Sequence, residues 1–464
     1  MSSTPTRRDF LRQSVLTGIA ISPSLAGLAC VQATQGSDSD ATIRPEGSGG
    51  SYGELVSAGP ELALPPDFKY VMFGAEHTPM SDGTPTPGAH DGMAAFPMPN
   101  GTIRLVRNHE LRPQVIDGVI TSTAFGDPAH AYDRKGPGGT STIELRLRRD
   151  GSPEILRSWM SLNGTMVNCA GGPTPWGSWL SCEETTLGRR QGFDQDHGYV
   201  FEVPASSNGL VEAVPLKAMG RFVHEALAID PRTGNVFLTE DSPRSGFYRF
   251  TPNRPGRLRE GGKLQMLAVA DRPQFDTSKG QQPGAAMRVT WIDIPDVDPA
   301  LGTAETVFQQ GFGKGAASFA RLEGAWWGDD SVYFHATSGG DKNLGQVWRY
   351  RPRSGADGDL LLVFESTNPE VLNAPDNICV GPRGGIVLCE DAAGTCHLRG
   401  LSARGEIFTF ARNTMNNREF AGATFSPDGR VLFVNIQGMG RLDDDPTLRS
   451  VSFAIWGPWE RGGL

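Results

Sequence analysis

Four pairs of residues with the same spacing stand out among those that could do chemistry. The two members of each pair are fifteen positions apart, and three of the pairs end in an acid. Carboxylates suit calcium or another hard cation, whereas a cysteine thiolate prefers a transition metal, commonly iron or zinc. The mixture indicates more than one kind of metal. The pairs are Cys169 with Glu184, Glu225 with Glu240, Asp376 with Asp391, and Glu323 with the neutral Ser338.

Each pair belongs to a pattern that occurs six times along the chain. A turn containing Gly, Asn or Asp leads into an alternating apolar strand, and a second strand precedes each copy. Fifteen residues suit two strands of about six residues and a short turn, so both polar ends lie side by side. The six copies are PNGTIRLVRNHE (99–110), PWGSWLSCEE (175–184), RTGNVFLTED (232–241), GDDSVYFHATS (328–338), RGGIVLCED (383–391) and PDGRVLFVNIQ (427–437).

Six hairpins arranged radially would bring all these polar ends around one axis. The sequence therefore predicts an all-β fold, a six-bladed β-propeller with loop-rich insertions, the longest at about 251–312. The alternative is a glycine-rich β-sandwich, but a sandwich core gives no reason for polar residues to recur at one phase of each strand. Carboxylates that converge in this way repel one another unless cations neutralise them. Each acid taken alone could instead be a solvated strand end.

The N-terminal residues predict export rather than part of the fold. Arg7 and Arg8 form a twin-arginine pattern, and an apolar segment that is too short to span a membrane comfortably follows them. We expect a signal peptide at 1–33, a flexible linker at 34–59, and a single propeller domain at 60–464. Lipid attachment at Cys30 is the alternative to cleavage. The predicted location is periplasmic or secreted, with the twin-arginine translocation machinery as a partner.

Charge and cysteine content narrow the function further. The formal net charge is −9, and removing the predicted signal makes it more negative, so a nucleic-acid partner is excluded. Five cysteines remain after Cys30, and this odd number leaves at least one thiol without an intramolecular partner. The sequence does not decide whether Cys389 and Cys396 form a disulfide. We expect a monomer. The eight histidines show no zinc-binding spacing, and those at strand ends could line a site or serve a structural role.

Arg321 and Glu323 form a further candidate pair. Residues two apart on a strand point to the same face, so a cation and an acid would face the channel together. An arginine beside a metal cluster is suited to bind a phosphate or carboxylate in bidentate fashion. The alternative is that the two side chains pair only with each other.

Several of these segments together resemble the PhoX-type alkaline phosphatase family. They are the twin-arginine signal, NCAGGPTPWGSWLSCEE, HEALAID, RLEGAWW with FHATSGGDKNLGQVWRY, APDN and FAGATFSPDGRVLFVNIQ. The resemblance covers about 60–440 and implies a six-bladed propeller with ferric iron (Fe3+) and calcium (Ca2+) ions at one end of its channel. It also implies a small-molecule phosphate ester as substrate.

The resemblance carries over to individual residues. It implies iron or calcium ligands at Cys169, Glu184, Glu225, Glu323 and Asp376, with Asp391, Asn108 and Glu110 added to the set. Arg321 would contact the substrate phosphate. The implied catalytic residues are thus Arg321 and Glu323.

The implied mechanism needs no protein nucleophile. Clustered cations would bind phosphate oxygens and activate the attacking oxygen, while Arg321 would stabilise charge on the equatorial oxygens. Two other functions fit a propeller with an axial acidic site. One is a calcium-dependent lactonase, which needs no thiolate, and the other is a non-catalytic periplasmic binding platform.

Overall fold

Most of the chain lies in short antiparallel strands that follow one another in sequence. The computed structural model describes residues 52–353, 357–438 and 446–464. Strands of the first half are β1 (Val56–Ser57), β2 (Leu62–Leu64), β3 (Lys69–Phe73), β4 (His90–Pro97), β5 (Ile103–His109), β6 (Val115–Ile116), β7 (Val119–Ile120), β8 (Gly138–Leu147), β9 (Pro153–Thr165), β10 (Asn168–Pro173), β11 (Ser178–Glu183), β12 (Val200–Pro204), β13 (His224–Ile229) and β14 (Val236–Glu240).

The second half continues in the same way and contains an α-helix, α1 (Val307–Gly313). Its strands are β15 (Phe247–Pro252), β16 (Gly262–Val269), β17 (Ala286–Asp293), β18 (Leu322–Gly328), β19 (Ser331–Ala336), β20 (Gln346–Pro352), β21 (Gly358–Glu365), β22 (Pro375–Val380), β23 (Ile386–Glu390), β24 (His397–Leu401), β25 (Ile407–Asn413), β26 (Phe420–Phe425), β27 (Val431–Ile436) and β28 (Val451–Trp456).

These strands form six blades in chain order. Blade one is β4-β5-β8-β9, blade two β10-β11-β12, blade three β13-β14-β15-β16, blade four β18-β19-β20-β21, blade five β22-β23-β24-β25, and blade six β26-β27-β28 with β3. The first strand of each blade contacts the first strands of its two neighbours, and β26 contacts β4 to complete the ring. The predicted all-β six-bladed propeller is confirmed.

The segment 251–312 contains more regular structure than the predicted loop-rich insertion. Strand β16 completes blade three, and β17 pairs with β16 on one side and with β21 of blade four on the other. Blades three and four therefore share one nine-stranded sheet. Helix α1 covers blade three beside β16. Such long-range pairing of outer strands has no local sequence signal.

The ring is closed by strands from near the N-terminus. Strand β3 pairs with β28 as the outer strand of blade six, while β2 pairs with β25 and extends blade five. Strand β1 pairs with β2, so ordered structure begins before Pro60, inside the range predicted as a linker. The predicted signal peptide and Cys30 lie outside the described residues. Within the described part of the chain, no helix is long and apolar enough to cross a membrane.

The core lies between the faces of neighbouring blades. Phe247 of blade three stacks on Phe334 of blade four with ring centroids 4.2 Å apart. Between blades five and six, Leu398, Leu432 and Phe453 are fully buried in one cluster. Because apolar burial is the main favourable contribution to folding, this packing lets the inner strand ends carry polar residues.

All five cysteines of the described chain are buried, and Cys182, Cys379, Cys389 and Cys396 are free thiols. The disulfide between Cys389 and Cys396 that the sequence left open is therefore not formed. Cys182, Cys379 and Cys389 belong to apolar clusters, as expected for small core residues. Burial raises the pKa of the Cys182 and Cys379 thiols, which favours their neutral forms.

Candidate metal centre at the propeller axis

A β-bulge occurs in the inner hairpin of every blade. In blade three, His224 pairs with Glu240 and Leu227 pairs with Leu238, so the register shifts by one residue between the two pairs. Bulges of this kind re-aim a side chain. The residue that follows the first pair stands at the bulge in five blades: Asp91, Cys169, Glu225, Glu323 and Asp376. The equivalent residue of blade six, Ala421, still pairs with Asn435, and the bulge comes directly after it.

The second strand of each blade contributes the residue that follows its end. The backbone N–H of that residue donates to the carbonyl two positions before the bulge residue, as Glu110 does to Ala89 at 2.8 Å and Glu184 to Val167 at 2.8 Å. The same bond forms in all six blades, which places the two residues of each blade side by side. The residues are Glu110, Glu184, Asp241, Thr337, Asp391 and Gln437.

This repeat corrects the pairing predicted for blades three and four. The partner of Glu225 is Asp241 rather than Glu240, and the partner of Glu323 is Thr337 rather than Ser338. The Glu240 carboxylate instead accepts hydrogen bonds from the Gly246 N–H at 2.9 Å and the Tyr248 hydroxyl at 2.7 Å. Burial raises the pKa of Glu240 to about 7.

Nine side chains form a continuous group around the axis, which we call the acidic arc. It consists of four overlapping sets of three residues, and within each set the potential ligand atoms lie within 4.8 Å of one another. Cys169, Glu225 and Asp376 each belong to two sets and link them. The sets are Asp91, Glu110 and Cys169; Cys169, Glu184 and Glu225; Glu225, Glu323 and Asp376; and Asp376, Asp391 and Glu419.

Small residues beside the bulges allow this close approach. A Cβ atom on Gly92 would lie 2.6 Å from the Cα of Ala170, and one on Gly324 would lie 2.8 Å from the Asp376 carbonyl oxygen. Since both distances are shorter than real Cβ contacts, any side chain there would push neighbouring inner strands apart. The glycines therefore set the spacing of the arc.

The structure brings seven of the eight predicted ligands into the arc. They are Cys169, Glu184, Glu225, Glu323, Asp376, Asp391 and Glu110. The Sγ atom of Cys169 lies 3.0 Å from Oε1 of Glu225, although the two residues come from different blades.

Asn108, the eighth predicted ligand, lies just outside the arc. Its amide nitrogen donates to the carbonyls of Cys169 and Ala170, at 3.1 and 2.7 Å. Its amide oxygen accepts from the Trp179 indole at 2.8 Å and from the Ser181 hydroxyl at 2.9 Å. Both ends of the amide are used, so Asn108 positions the backbone of Cys169.

Arg321 lies at the border between the arc and solvent. Its guanidinium donates to both carboxylate oxygens of Asp241, at 2.8 and 2.7 Å, and to Oε1 of Glu323 at 2.9 Å. Arg321 is 20% exposed, whereas the two acids are 1% exposed. The pairing with Glu323 that the sequence left open is thus present, and Asp241 fixes the guanidinium from a second side.

Two arc residues, Asp91 and Glu419, were not among the predicted ligands. Asp91 is the second residue of the inner strand of blade one, where the longer first hairpin hid its equivalence to Cys169. Glu419 occupies in blade six the position that Arg321 occupies in blade four, two residues before Ala421. Arg321 precedes Glu323 by the same two residues, and applying that spacing to blade six would have identified Glu419 from the sequence.

Histidines beside the arc have structural roles. The Nε2 atom of His224 is 2.9 Å from the Gly220 carbonyl, and His109 bridges the Gly88 carbonyl and the Ser141 hydroxyl. Burial lowers the pKa of His224 to about 4 and that of His109 well below its ordinary value. Both imidazoles are therefore neutral.

Glu183, the last residue of β11, fixes the strand end next to the arc residue Glu184. Its carboxylate accepts from the Met166 N–H at 3.0 Å and the Gly198 N–H at 2.9 Å, and lies 2.6 Å from Nδ1 of His197. Nε2 of His197 is 3.4 Å from a carboxylate oxygen of Asp133. Burial alone would lower the pKa of His197, but the two acids outweigh it and raise the pKa to about 9.

We predict that His197 makes the stability of the fold decline at alkaline pH. Because its folded pKa is raised from 6.5 to about 9, its stabilisation is complete below pH 6.5 and is lost as pH rises through about 9. The expected loss is on the order of 2 to 3 kcal/mol. Urea unfolding of wild type and His197→Gln between pH 6 and 10 tests this. Parallel pH profiles for the two proteins would contradict it.

The arc has the chemistry expected of a site for several cations. Eight carboxylates and one thiol are crowded together. Burial and the nearby acids Asp241, Glu225 and Asp376 raise the pKa of Glu323 well above its ordinary value, although Arg321 acts in the opposite direction. Oε2 of Glu323 is buried with no hydrogen-bond donor among the described residues. Bound cations would relieve both features, so the residues present fit a metal cluster.

Fold and site together fit the class of propeller metalloenzymes. A model of the family "Alkaline phosphatase PhoX" matches residues 51–440. The chain belongs to this family and is a hydrolase of phosphoric monoesters. No protein with a curated function matches it in sequence.

Two solved structures are similar to the chain to different degrees. Pseudomonas fluorescens PhoX in complex with vanadate, a transition state analogue, is 20% identical, with a TM-score of 0.66 over 88% of this chain and 98% of that one. A gluconolactonase from Xanthomonas campestris is 13% identical, with a TM-score of 0.36 over 87% of this chain and 99% of that one.

Proposed function

We propose that the chain hydrolyses phosphomonoesters at the acidic arc, with iron and calcium ions bound there. The observation that carries the proposal is the arc itself, in which four overlapping sets of ligand atoms share Cys169, Glu225 and Asp376. The thiolate of Cys169 favours iron, and the sets made only of carboxylates favour calcium. Bound cations would supply positive charge for the phosphate oxygens and activation of the attacking oxygen.

Membership of the family supports the proposal. The Pseudomonas fluorescens relative binds vanadate, which its structure describes as a transition state analogue. A phosphate ester as the substrate agrees with this.

Arg321 would bind the substrate phosphate and stabilise charge that develops in the transition state. Asp241 holds its Nε and Nη2 atoms in a bidentate pair, which restricts rotation of the side chain before substrate arrives. The backbone of Arg321 is left-handed, with φ of 52°, as it is at the equivalent Ala89, Val167 and Ala374. The repeated backbone geometry therefore sets the direction of the Arg321 side chain as well.

Calcium removal is expected to abolish turnover. Without cations the carboxylates of the arc would repel a phosphate dianion, so we expect EGTA to lower the hydrolysis rate of p-nitrophenyl phosphate by roughly 100-fold or more. Added calcium should restore activity and magnesium should not, because magnesium demands smaller octahedral sites. Unchanged phosphate release in EGTA, or hydrolysis of gluconolactone without any phosphatase activity, would contradict the proposal.

We further propose that the chain is exported in folded form by the twin-arginine pathway. The support is the pattern Arg7-Arg8 ahead of an apolar segment in the sequence. Replacing both residues with lysine should remove phosphatase activity from the periplasmic fraction of a bacterial host and leave the protein in the cytoplasm. Equal periplasmic activity in the double variant would overturn this proposal. The monomeric state remains a prediction.

A further inference from the structure

An open pocket of about 530 Å³ lies beside the acidic arc, between blade three and helix α1. Its wall includes Thr186, two residues after Glu184, and Ser242, the residue after Asp241. The Ser242 carbonyl accepts the backbone N–H of Arg321 at 3.0 Å. One wall residue of the pocket is therefore hydrogen-bonded to the backbone of Arg321, the residue that would hold the substrate phosphate.

Helix α1 forms the outer wall of this pocket and is fixed in place. Val307, Gln310 and Gly311 form its buried side. The Gln310 amide accepts the Asp296 N–H at 3.0 Å and donates to the Asp296 carbonyl at 2.8 Å. A Cβ atom on Gly311 would lie 2.4 Å from the sulfur of Met266, so the helix packs closely on β16.

The opposite side of the helix presents an aromatic pair to the pocket. Phe308 and Phe312, four residues apart, are only half-buried, and their rings stack with centroids 5.4 Å apart. The guanidinium carbon of Arg244 lies 4.2 Å from the Phe312 ring centroid. Among the described residues Arg244 has no ion pair or hydrogen bond, whereas Arg221, also in the wall, is bound to the His197 carbonyl and Asp196.

Planar aromatic groups suit such a wall. A half-buried phenylalanine ring with a guanidinium stacked on it offers flat faces to which a further ring can add. Bases stack on aromatic side chains in a sequence-tolerant way, because every base has a π face. The pocket's size matches that of sites for ligands of nucleoside size.

We propose that this pocket is the leaving-group subsite of the phosphatase and that it selects monoesters with a planar aromatic ring, nucleoside monophosphates among them. The proposal rests on the proposed phosphomonoester hydrolysis. The phosphate is held at Arg321 while Phe308, Phe312 and Arg244 contact the ring. The chemistry is unchanged, since water still displaces the alcohol from phosphorus.

Two substrates that differ only in the base test the proposal. Adenosine 5′-monophosphate and ribose 5-phosphate share the sugar and the ester, so the ratio of their kcat/KM values measures the contribution of the ring. We expect wild type to prefer the nucleotide by about tenfold, which corresponds to one stacked base. A ratio near one in wild type would overturn the proposal.

Substitutions in the pocket wall test which residues produce the preference for the nucleotide. Phe312→Ala and Arg244→Ala should bring the ratio close to one by lowering kcat/KM for the nucleotide. Phe312→Leu keeps apolar volume and should also lose the preference, whereas Phe312→Trp should keep it. The matched control is Phe275→Ala, because Phe275 also carries a stacked arginine, Arg272 at 3.6 Å, but lies outside the pocket. Equal ratios in wild type and Phe312→Leu would overturn the proposal.

Binding of adenosine, which has no phosphate, separates this inference from the proposed function. Saturation-transfer NMR should detect adenosine on wild type and lose the signal in Phe312→Ala and Arg244→Ala. If no phosphomonoester were hydrolysed but this pattern held, the proposed function would fail and the ring site would stand. If adenosine bound equally to both variants and wild type, the ring site would fail whatever the turnover.

Discussion

Replacing Cys169 with alanine is expected to lower kcat/KM for p-nitrophenyl phosphate by roughly 1000-fold, because the proposed metal ligand shared by two sets of the arc is lost. Cys169 is the one thiol among the nine arc residues of the described chain. Its loss should remove bound iron while leaving some calcium on the all-carboxylate sets. Measurements of kcat, KM and metal content on the same protein preparation check the prediction.

Cys182→Ala provides the matched control for that experiment. Cys182 is also fully buried, and it stands near the end of the neighbouring strand β11, but it belongs to none of the four sets of ligand atoms in the arc. We expect its replacement to lower stability modestly and to leave metal content and kcat/KM within about twofold. If Cys169→Ala behaved in the same way, Cys169 would be a core residue and not a ligand.

Replacing Arg321 with lysine is expected to lower kcat/KM by roughly 100-fold while iron and calcium content stays unchanged. Lysine keeps the positive charge but loses the planar fork that contacts Asp241 and Glu323 together. The phosphate would therefore meet a cation that is not held in a fixed direction. Weaker competitive inhibition by inorganic phosphate should accompany the loss of activity.

Arg399→Lys tests whether the loss of any buried arginine–carboxylate pair would lower activity in the same way. Arg399 in blade five donates to both oxygens of Glu390, at 2.8 and 3.5 Å, and lies on the third strand of its blade rather than at the axis. We expect this variant to be less stable and fully active. Equal losses of activity in the two variants would show that Arg321 acts only through the fold.

The blades could be predicted from sequence because each inner hairpin is local. Two strands and a turn within about fifteen residues leave a repeating pattern, and the fold followed from counting six of them. The contacts that join distant segments could not be predicted this way. Strand β17 links blades three and four, and β3 pairs with β28 nearly four hundred residues away. These pairings join the outer edges of blades, where no recurring polar residue marks the strand ends.

The candidate site could be predicted where the spacing was regular. Cys169 and Glu184, and Asp376 and Asp391, are fifteen residues apart and lie together in the arc. In blade three the equivalent spacing is sixteen, so the sequence pointed to Glu240 rather than Asp241. Turn length varies between blades while the bulge and the backbone bond at the axis stay constant. Only the three-dimensional register shows which of two adjacent acids reaches the axis.

The most direct test of the central claim is elemental analysis of the natively exported protein for iron and calcium, paired with its rate of p-nitrophenyl phosphate hydrolysis. We predict that active protein contains both metals, with more than one metal ion per chain, and that activity falls as the metals are removed. Full activity in protein that contains neither iron nor calcium would contradict the claim that the acidic arc is a metal centre for phosphoester hydrolysis.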